Sequence, residues 1–219
     1  MSDMSSFSER MRAHADRSWR AILRHRFFRE VATDAVDDRV FARYLRIEYG
    51  FVDTAARALG YAVAKAPSFQ ERRRLSFGLY GLVTDQEQVF VDAFERMGAP
   101  GKERTGLSPQ GLALPLHALF LKVAEMEGYE EILACTLAAE WMYLTWCSTA
   151  NQSPSSRDYI RDWVALHAGG PFAEHVAWVR SEIDTRGPTL TEARQARLSA
   201  LFDEALRAEI AFHDAPYAK

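Results

Sequence analysis

Four glutamates, Glu48, Glu87, Glu140 and Glu209, each stand in the middle of an otherwise apolar stripe. The stripes run Phe41, Leu45, Glu48, Val52, Ala55, Leu59; Leu79, Val83, Glu87, Phe90, Phe94, Met97; Leu133, Leu137, Glu140, Leu144; and Leu198, Phe202, Ala205, Glu209, Phe212. A lone buried carboxylate costs several kcal/mol unless it is paired, hydrogen-bonded or protonated. One such residue can snorkel at the rim of an apolar face, and Glu87 suits that description best. Four at once point to a polar pocket enclosed by helices.

Two chemistries use carboxylates in that setting. A di-iron centre in a helical bundle takes Glu-x-x-His pairs. Here the residues three positions on are Phe51, Phe90, Tyr143 and Phe212, none of them histidine. Only Glu209 and His213, four apart, could share a metal, and the six histidines (His14, His25, His117, His167, His175, His213) show no repeated ligand spacing. The sequence therefore predicts neither a metal nor an organic cofactor. The other chemistry is acid–base work on a small nitrogen heterocycle. Tyr44 and Phe51 lie one turn either side of Glu48, Tyr143 one turn from Glu140, and Phe212 one turn from Glu209. A flat ring can stack on such aromatics while carboxylates hold its amino group and ring nitrogens. Burial raises a carboxyl pKa, which suits proton donation near neutral pH. The roles of Glu87, His117 and His213 stay open at this stage.

The elements that must position these groups are helices, because apolar residues recur three and four apart and nowhere alternate. Phe7, Met11, Ala15 and Ile22 predict a first helix ending near His25. Asp37 caps a second and Ser68 a third, which "GAPG" (Gly98 to Gly101) breaks. After the polar loop "KERTGLSPQ" a fourth runs from Leu112 to Glu127, and "ILACTLAAEWMYLTWC" (Ile132 to Cys147) is the fifth. "NQSPSS", "AGGP" and "RGPT" separate three more. The expectation is an all-α bundle of seven or eight helices forming one domain over residues 1–219.

Composition narrows the function classes. With 27 basic and 30 acidic residues the net charge is −3, which offers nothing to nucleic acid or anionic lipid. "ERRR" (Glu71 to Arg74) reads as the solvated face of a helix. No segment approaches the roughly 18–20 apolar residues of a membrane span, and "MSDMSSFSERMRAH" lacks a signal peptide's apolar run, so a cytoplasmic protein is expected. Cys135 and Cys147, twelve residues apart on one helix, would sit about 18 Å from each other, too far to bridge. There is no Gly-rich phosphate loop, G-x-S-x-G elbow or CxxC.

Four stretches carry a resemblance: "FARYLRIEYGFV", "EILACTLAAEWMY", "WVALHAGGPFAEHV" and "EIAFHDAPY". Their order and spacing, from Trp19 to Tyr217, resemble the TenA / thiaminase II family, all-α proteins of haem-oxygenase-like fold that handle aminopyrimidines in thiamin salvage. The stretch from Gly98 to Pro115 matches little. The thiaminase branch has a nucleophilic cysteine where aligning Trp141 and Tyr143 places Ala139, so Cys135 is not that residue. A second branch lacks the cysteine and carries a glutamate three residues before the tyrosine, the position of Glu140.

The resemblance thus implies a glutamate-type enzyme hydrolysing aminomethyl- or formylaminomethyl-pyrimidine, with a small pyrimidine as partner and a homo-oligomeric state, dimer or tetramer. It implies that Glu48, one methylene longer than the family's aspartate, grips the amino group and ring nitrogen. It gives Glu209 the far ring nitrogen and Tyr143 a place in the pocket. Where the thiaminase branch has further pocket tyrosines, this chain has Phe51, Leu116 and His167, which join Tyr44 as expected substrate contacts. Glu140 and Glu209 are the expected acid–base pair. A paralogue handling another small amine or heterocycle, and a metal-dependent oxidase of the haem-oxygenase-like class, are the alternatives.

Overall fold

Where the sequence predicts one helix ending near His25, the chain makes two, and a third that the spacing did not predict follows. The computed structural model describes residues 5–98 and 110–218, and every regular element within them is helical. The first three are α1 (Phe7–His14), α2 (Asp16–Leu23) and α3 (Arg26–Ala32). The breaks contain neither glycine nor proline. At Ala15 the chain turns so that Phe7 and Met11 on one side, and Trp19 and Ile22 on the other, are all buried. At the second break the His25 ring itself caps α3, its Nδ1 accepting from Phe27 N–H at 3.2 Å.

Helix α4 (Asp38–Lys65) starts at the expected cap, Asp37, whose carboxylate accepts from Arg39 N–H at 2.8 Å. Ser68 likewise caps α5 (Phe69–Gly81), accepting from Gln70 N–H at 3.1 Å. The predicted third helix then departs from regularity: Leu82–Gln86 form a π-helical turn before α6 (Glu87–Arg96). A π turn inserts extra chain per turn and rotates the side chains beyond it, and this one borders the cavity described below. The "GAPG" break and the loop "KERTGLSPQ" lie, except for Gly98 and Gln110, outside the described residues.

A 3₁₀ turn at Gly111–Ala113 leads into α7 (Leu114–Met126), and Gly128 precedes α8 (Tyr129–Ala150). Then follow α9 (Asp158–Ala168), α10 (Gly170–Arg186) and α11 (Glu192–Asp214), the last capped by Thr191. Helix α8 is the axis of the fold. It is apolar almost all round and buried on most of its surface, with α9, α10 and α11 packed along it and α4 and α7 closing the other side. Glu131 at its start, 4% exposed, is held by the forked Arg194 guanidinium at 2.8 Å. Among the described residues no helix is long and apolar enough to cross a membrane.

Candidate active site

The helices around α8 pack against one another but do not fill the space between them. Between α4, α5, the π turn, α7, α8, α9, α10 and α11 they leave a cavity of about 510 Å³, mostly apolar, with a few polar groups converging on it. Glu48 from α4, Glu140 and Tyr143 from α8, and Glu209 from α11 all line it, as do Phe51, Leu116 and His167. Tyr44 stands one layer back: fully buried, it is absent from the cavity wall and meets Tyr143 hydroxyl to hydroxyl at 2.9 Å. Glu87 is elsewhere, accepting a 2.8 Å hydrogen bond from the Tyr49 hydroxyl. His117 turns from the cavity to Thr54, with Nδ1 and Oγ1 2.8 Å apart.

The three cavity carboxyls are differently placed. Glu48 is 7% exposed, and burial pushes its carboxyl up to about 7, against the lowering pull of the Tyr44 and Tyr143 hydroxyls. Its Oε2 lies 2.9 Å from Tyr143 Oη. Glu209 is 1% exposed and its carboxyl is raised well above the ordinary range, by burial first and then by the charge of Glu48. Its Oε2 is buried with no hydrogen-bond partner. Burial thus favours the neutral form of both carboxyls.

Glu140 has a histidine beside it. His175 Nε2 from α10 lies 3.3 Å from Glu140 Oε2, a contact ionic in distance but too poorly aligned to hydrogen-bond that oxygen. The Glu140 charge raises His175, against the opposing effect of burial. Gly78 makes room for the histidine, since a Cβ there would come within 3.2 Å of His175 Cε1. Sequence reasoning missed His175 as a partner of Glu140: Phe172 and Val179 flank it at helical spacing, but nothing local to it signals a carboxylate on another helix.

The aromatic walls fall on two sides. Tyr143 stacks on His167, ring centroids 5.1 Å apart at 27°. Across the cavity Phe51 meets Phe212 and Phe120 edge-on. His167 Nδ1 donates to the Trp163 carbonyl at 2.9 Å, and burial holds the ring down to about 4, so it is neutral. Ala139 lines the cavity, whereas Cys135 and Cys147 are buried in the core with thiols pushed up by burial. Among the described residues no three His, Cys, Asp or Glu side chains are grouped so as to hold a metal. A mostly apolar cavity on which three carboxyls converge, two of them pushed towards the neutral form by burial and the third beside a histidine, can bind a flat basic ring and move protons at its edges.

Comparisons with known proteins agree with this architecture. Among solved structures, a TenA family transcription regulator from Silicibacter sp. superposes with a TM-score of 0.89 at 19% identity, covering 98% of each chain. The TenA homologue from P. horikoshii gives 0.87 at 17% identity over 97% of this chain and 99% of that one. The TenA homologue from Pyrococcus furiosus gives 0.87 at 21% identity over 96% and 100%. At such identities the likeness shows the fold, all-α and haem-oxygenase-like. No curated protein matches the sequence. A family model does match, over residues 12–219: by that match the chain belongs to the TENA/THI-4/PQQC family.

Proposed function

We propose that the chain is a hydrolase of the TenA type, acting on an aminomethyl- or formylaminomethyl-pyrimidine of thiamin salvage by carboxylate acid–base cleavage of a C–N bond. One observation carries the reading: three carboxyls from three helices line one cavity, and Glu140 Oε2 and Glu209 Oε2 are buried there with no hydrogen-bond partner. Buried polar atoms are rarely left unpaired, and at a cavity wall water or a ligand's donors complete them.

In this reading Glu48 takes the amino group and adjacent nitrogen of the ring. Glu209 donates a hydrogen bond to the opposite ring nitrogen, while Glu48 accepts a proton from the ring amino group so that ring electrons move towards the exocyclic carbon. For the aminomethyl substrate the C–N bond breaks with its electron pair on nitrogen, which takes a proton from the Glu140–His175 pair and leaves as ammonia. Water adds to the methylene carbon, its proton passing to Glu140, and Glu48 returns the amino proton as the ring regains aromaticity. Amine and water give alcohol and ammonia. Positioned proton transfer contributes roughly 10²–10⁴-fold. Wild-type protein given an aminomethyl-aminopyrimidine should therefore release ammonia, and Glu140→Gln should lose about that factor. Wild-type protein releasing none, or Glu140→Gln at full rate, removes the assignment.

The reading includes self-association as a dimer or tetramer. It draws support from Phe69, Phe77 and Tyr80, which are 69%, 67% and 65% exposed along α5, far more than isolated apolar residues need to be.

A further inference from the structure

Three helices frame one end of the cavity in matching register. Glu71 of α5 accepts from Arg186 of α10 at 2.6 Å, and the Arg186 guanidinium lies 5.5 Å from the Tyr129 ring of α8. Farther along, Gly78 of α5 lies against His175 of α10, which meets Glu140 of α8. Helices α5 and α8 therefore run the same way, and α10 runs against both. Arg74, one turn before Gly78, and Thr136, one turn before Glu140, fall between these two sets of contacts, and both line the cavity. Helix α4 lies back along α5 across the short connection 66–68 and adds Ala58 and Leu59 to this end. Tyr143, with Glu48 and His167 against it, lies on the other side of Glu140.

This end carries two donors that the protein leaves uncommitted. Arg74 is the one arginine or lysine in the cavity wall. It is half-buried, and among the described residues no hydrogen bond or ion pair engages it. Its charge reaches His175, where it opposes the pull of Glu140. Thr136 stands apart from the later threonines of its helix. Thr145 and Thr149 turn their hydroxyls back to the carbonyls of Trp141 and Thr145, at 2.7 and 3.3 Å. The Thr136 hydroxyl makes no such bond, and its side chain lines the cavity.

We infer that Arg74 is a specificity-determining residue that, with Thr136, holds the acyl oxygen of an N-acylaminomethyl heterocycle whose ring lies at Glu48 and Tyr143. A free aminomethyl nitrogen takes a proton in water and is then repelled by an arginine. An amide nitrogen stays neutral, and its carbonyl offers lone pairs to a guanidinium and a hydroxyl. Ala58 and Leu59 receive the acyl carbons, so acyl groups larger than formyl enter too, and the cavity of about 510 Å³ has room for both parts. The inference deepens the proposed function and rests on its placement of the ring and of Glu140.

The bond cleaved is then the acyl C–N bond. Water oxygen bonds to the acyl carbon while its proton passes to Glu140, and the carbonyl electron pair moves onto the oxygen that Arg74 and Thr136 hold. The pair returns, the C–N bond breaks with its electrons on nitrogen, and nitrogen takes the proton from Glu140. Amide and water give carboxylic acid and amine.

Calorimetric titration tests this with an aminomethyl-aminopyrimidine and its N-formyl and N-acetyl derivatives, in a Glu140→Gln background that leaves the ligands intact. Both amides should bind more tightly than the amine. Arg74→Met keeps the stem and removes the donors, and it should cut that preference by about 10–100-fold, the worth of a hydrogen bond to a charged group. Thr136→Val, close in shape, should cut it about fivefold, and Arg74→Lys should keep more of it than Arg74→Met. Amides that bind no better than the amine, or an Arg74→Met protein that weakens all three ligands alike, overturn this inference alone. A protein that binds none of the three overturns it together with the proposed function. Amide preference lost in Arg74→Met, with no product formed by wild type, supports this subsite and counts against the proposed hydrolysis.

Discussion

At the scale of single residues the cavity groups set a dependence of stability on pH with two opposite limbs. An unfolded chain releases the Glu48 proton near 4.5, whereas the fold holds it to about 7. Between those values the folded state binds more protons, so this contribution is complete below 4.5 and is lost as pH rises through 7. The loss is on the order of 3 kcal/mol by about pH 8. The histidines act the other way. His167 and His213 are held down to about 4 and about 3, so their contribution is complete above 6.5 and is lost as pH falls through those values. Glu48→Gln removes only the first limb. Urea unfolding should find the variant ahead of wild type at pH 8 by a few kcal/mol, with the gap mostly closed at pH 5; parallel curves would show that Glu48 is not held as an acid. Glu48, Glu140 and Glu209 were legible as inward-facing because a carboxylate in an apolar stripe is conspicuous at helical spacing. Depth was not legible: spacing gives a residue's face, and Tyr44 shares a face with Glu48 yet sits a layer behind the wall. His175 was illegible because its partner and the glycine that admits it lie on α8 and α5, distant in sequence.

At the scale of elements, the capped starts at Asp37 and Ser68 could be read directly, since a side-chain oxygen meeting a free N–H is a local event. The breaks at Ala15 and before His25 could not, because the packing of short amphipathic pieces decides them without glycine or proline. The π turn could not be read either, since the stripe Leu79, Val83, Glu87, Phe90 keeps ordinary helical spacing across it. Two glycines give opposed predictions. Gly187, in the turn after α10, lies under Phe7 of α1, and a Cβ there would fall 2.1 Å from the ring. Gly187→Ala must displace a ring that is 4% exposed and should destabilise by about 1–3 kcal/mol. Gly60, inside α4, has no atom within 4 Å of a built Cβ. Gly60→Ala should add about 0.5–1 kcal/mol by helix propensity alone. Denaturant midpoints moving in opposite directions are the expected result; a Gly187→Ala protein of wild-type stability would mean that α1 does not dock against that turn.

For the molecule as a whole, fold class and family could be read because the evidence is distributed: helical period runs throughout, and the motifs span Trp19 to Tyr217, nearly the 12–219 of the family match. Assembly is harder to read, because an exposed apolar side chain looks the same in sequence whether water or another subunit covers it. Phe77 bears on both assembly and cavity. It is 67% exposed and also lines the cavity, so a second copy laid on α5 would cover part of the cavity's rim. With a net charge of −3, long-range repulsion between copies is weak and screened beyond roughly 8–10 Å at ordinary salt. Burial of Phe69, Phe77 and Tyr80 would then govern association, at about 25 cal/mol per Å² of apolar surface removed from water. Sedimentation equilibrium should give a multiple of 24.8 kDa for wild type. Phe77→Glu with Tyr80→Glu should shift the mass toward one chain while the far-ultraviolet dichroism of the helices is retained. A wild-type protein that sediments as a single chain at all concentrations would refute the assembly, and a double variant that keeps its multiple would place the contact away from α5.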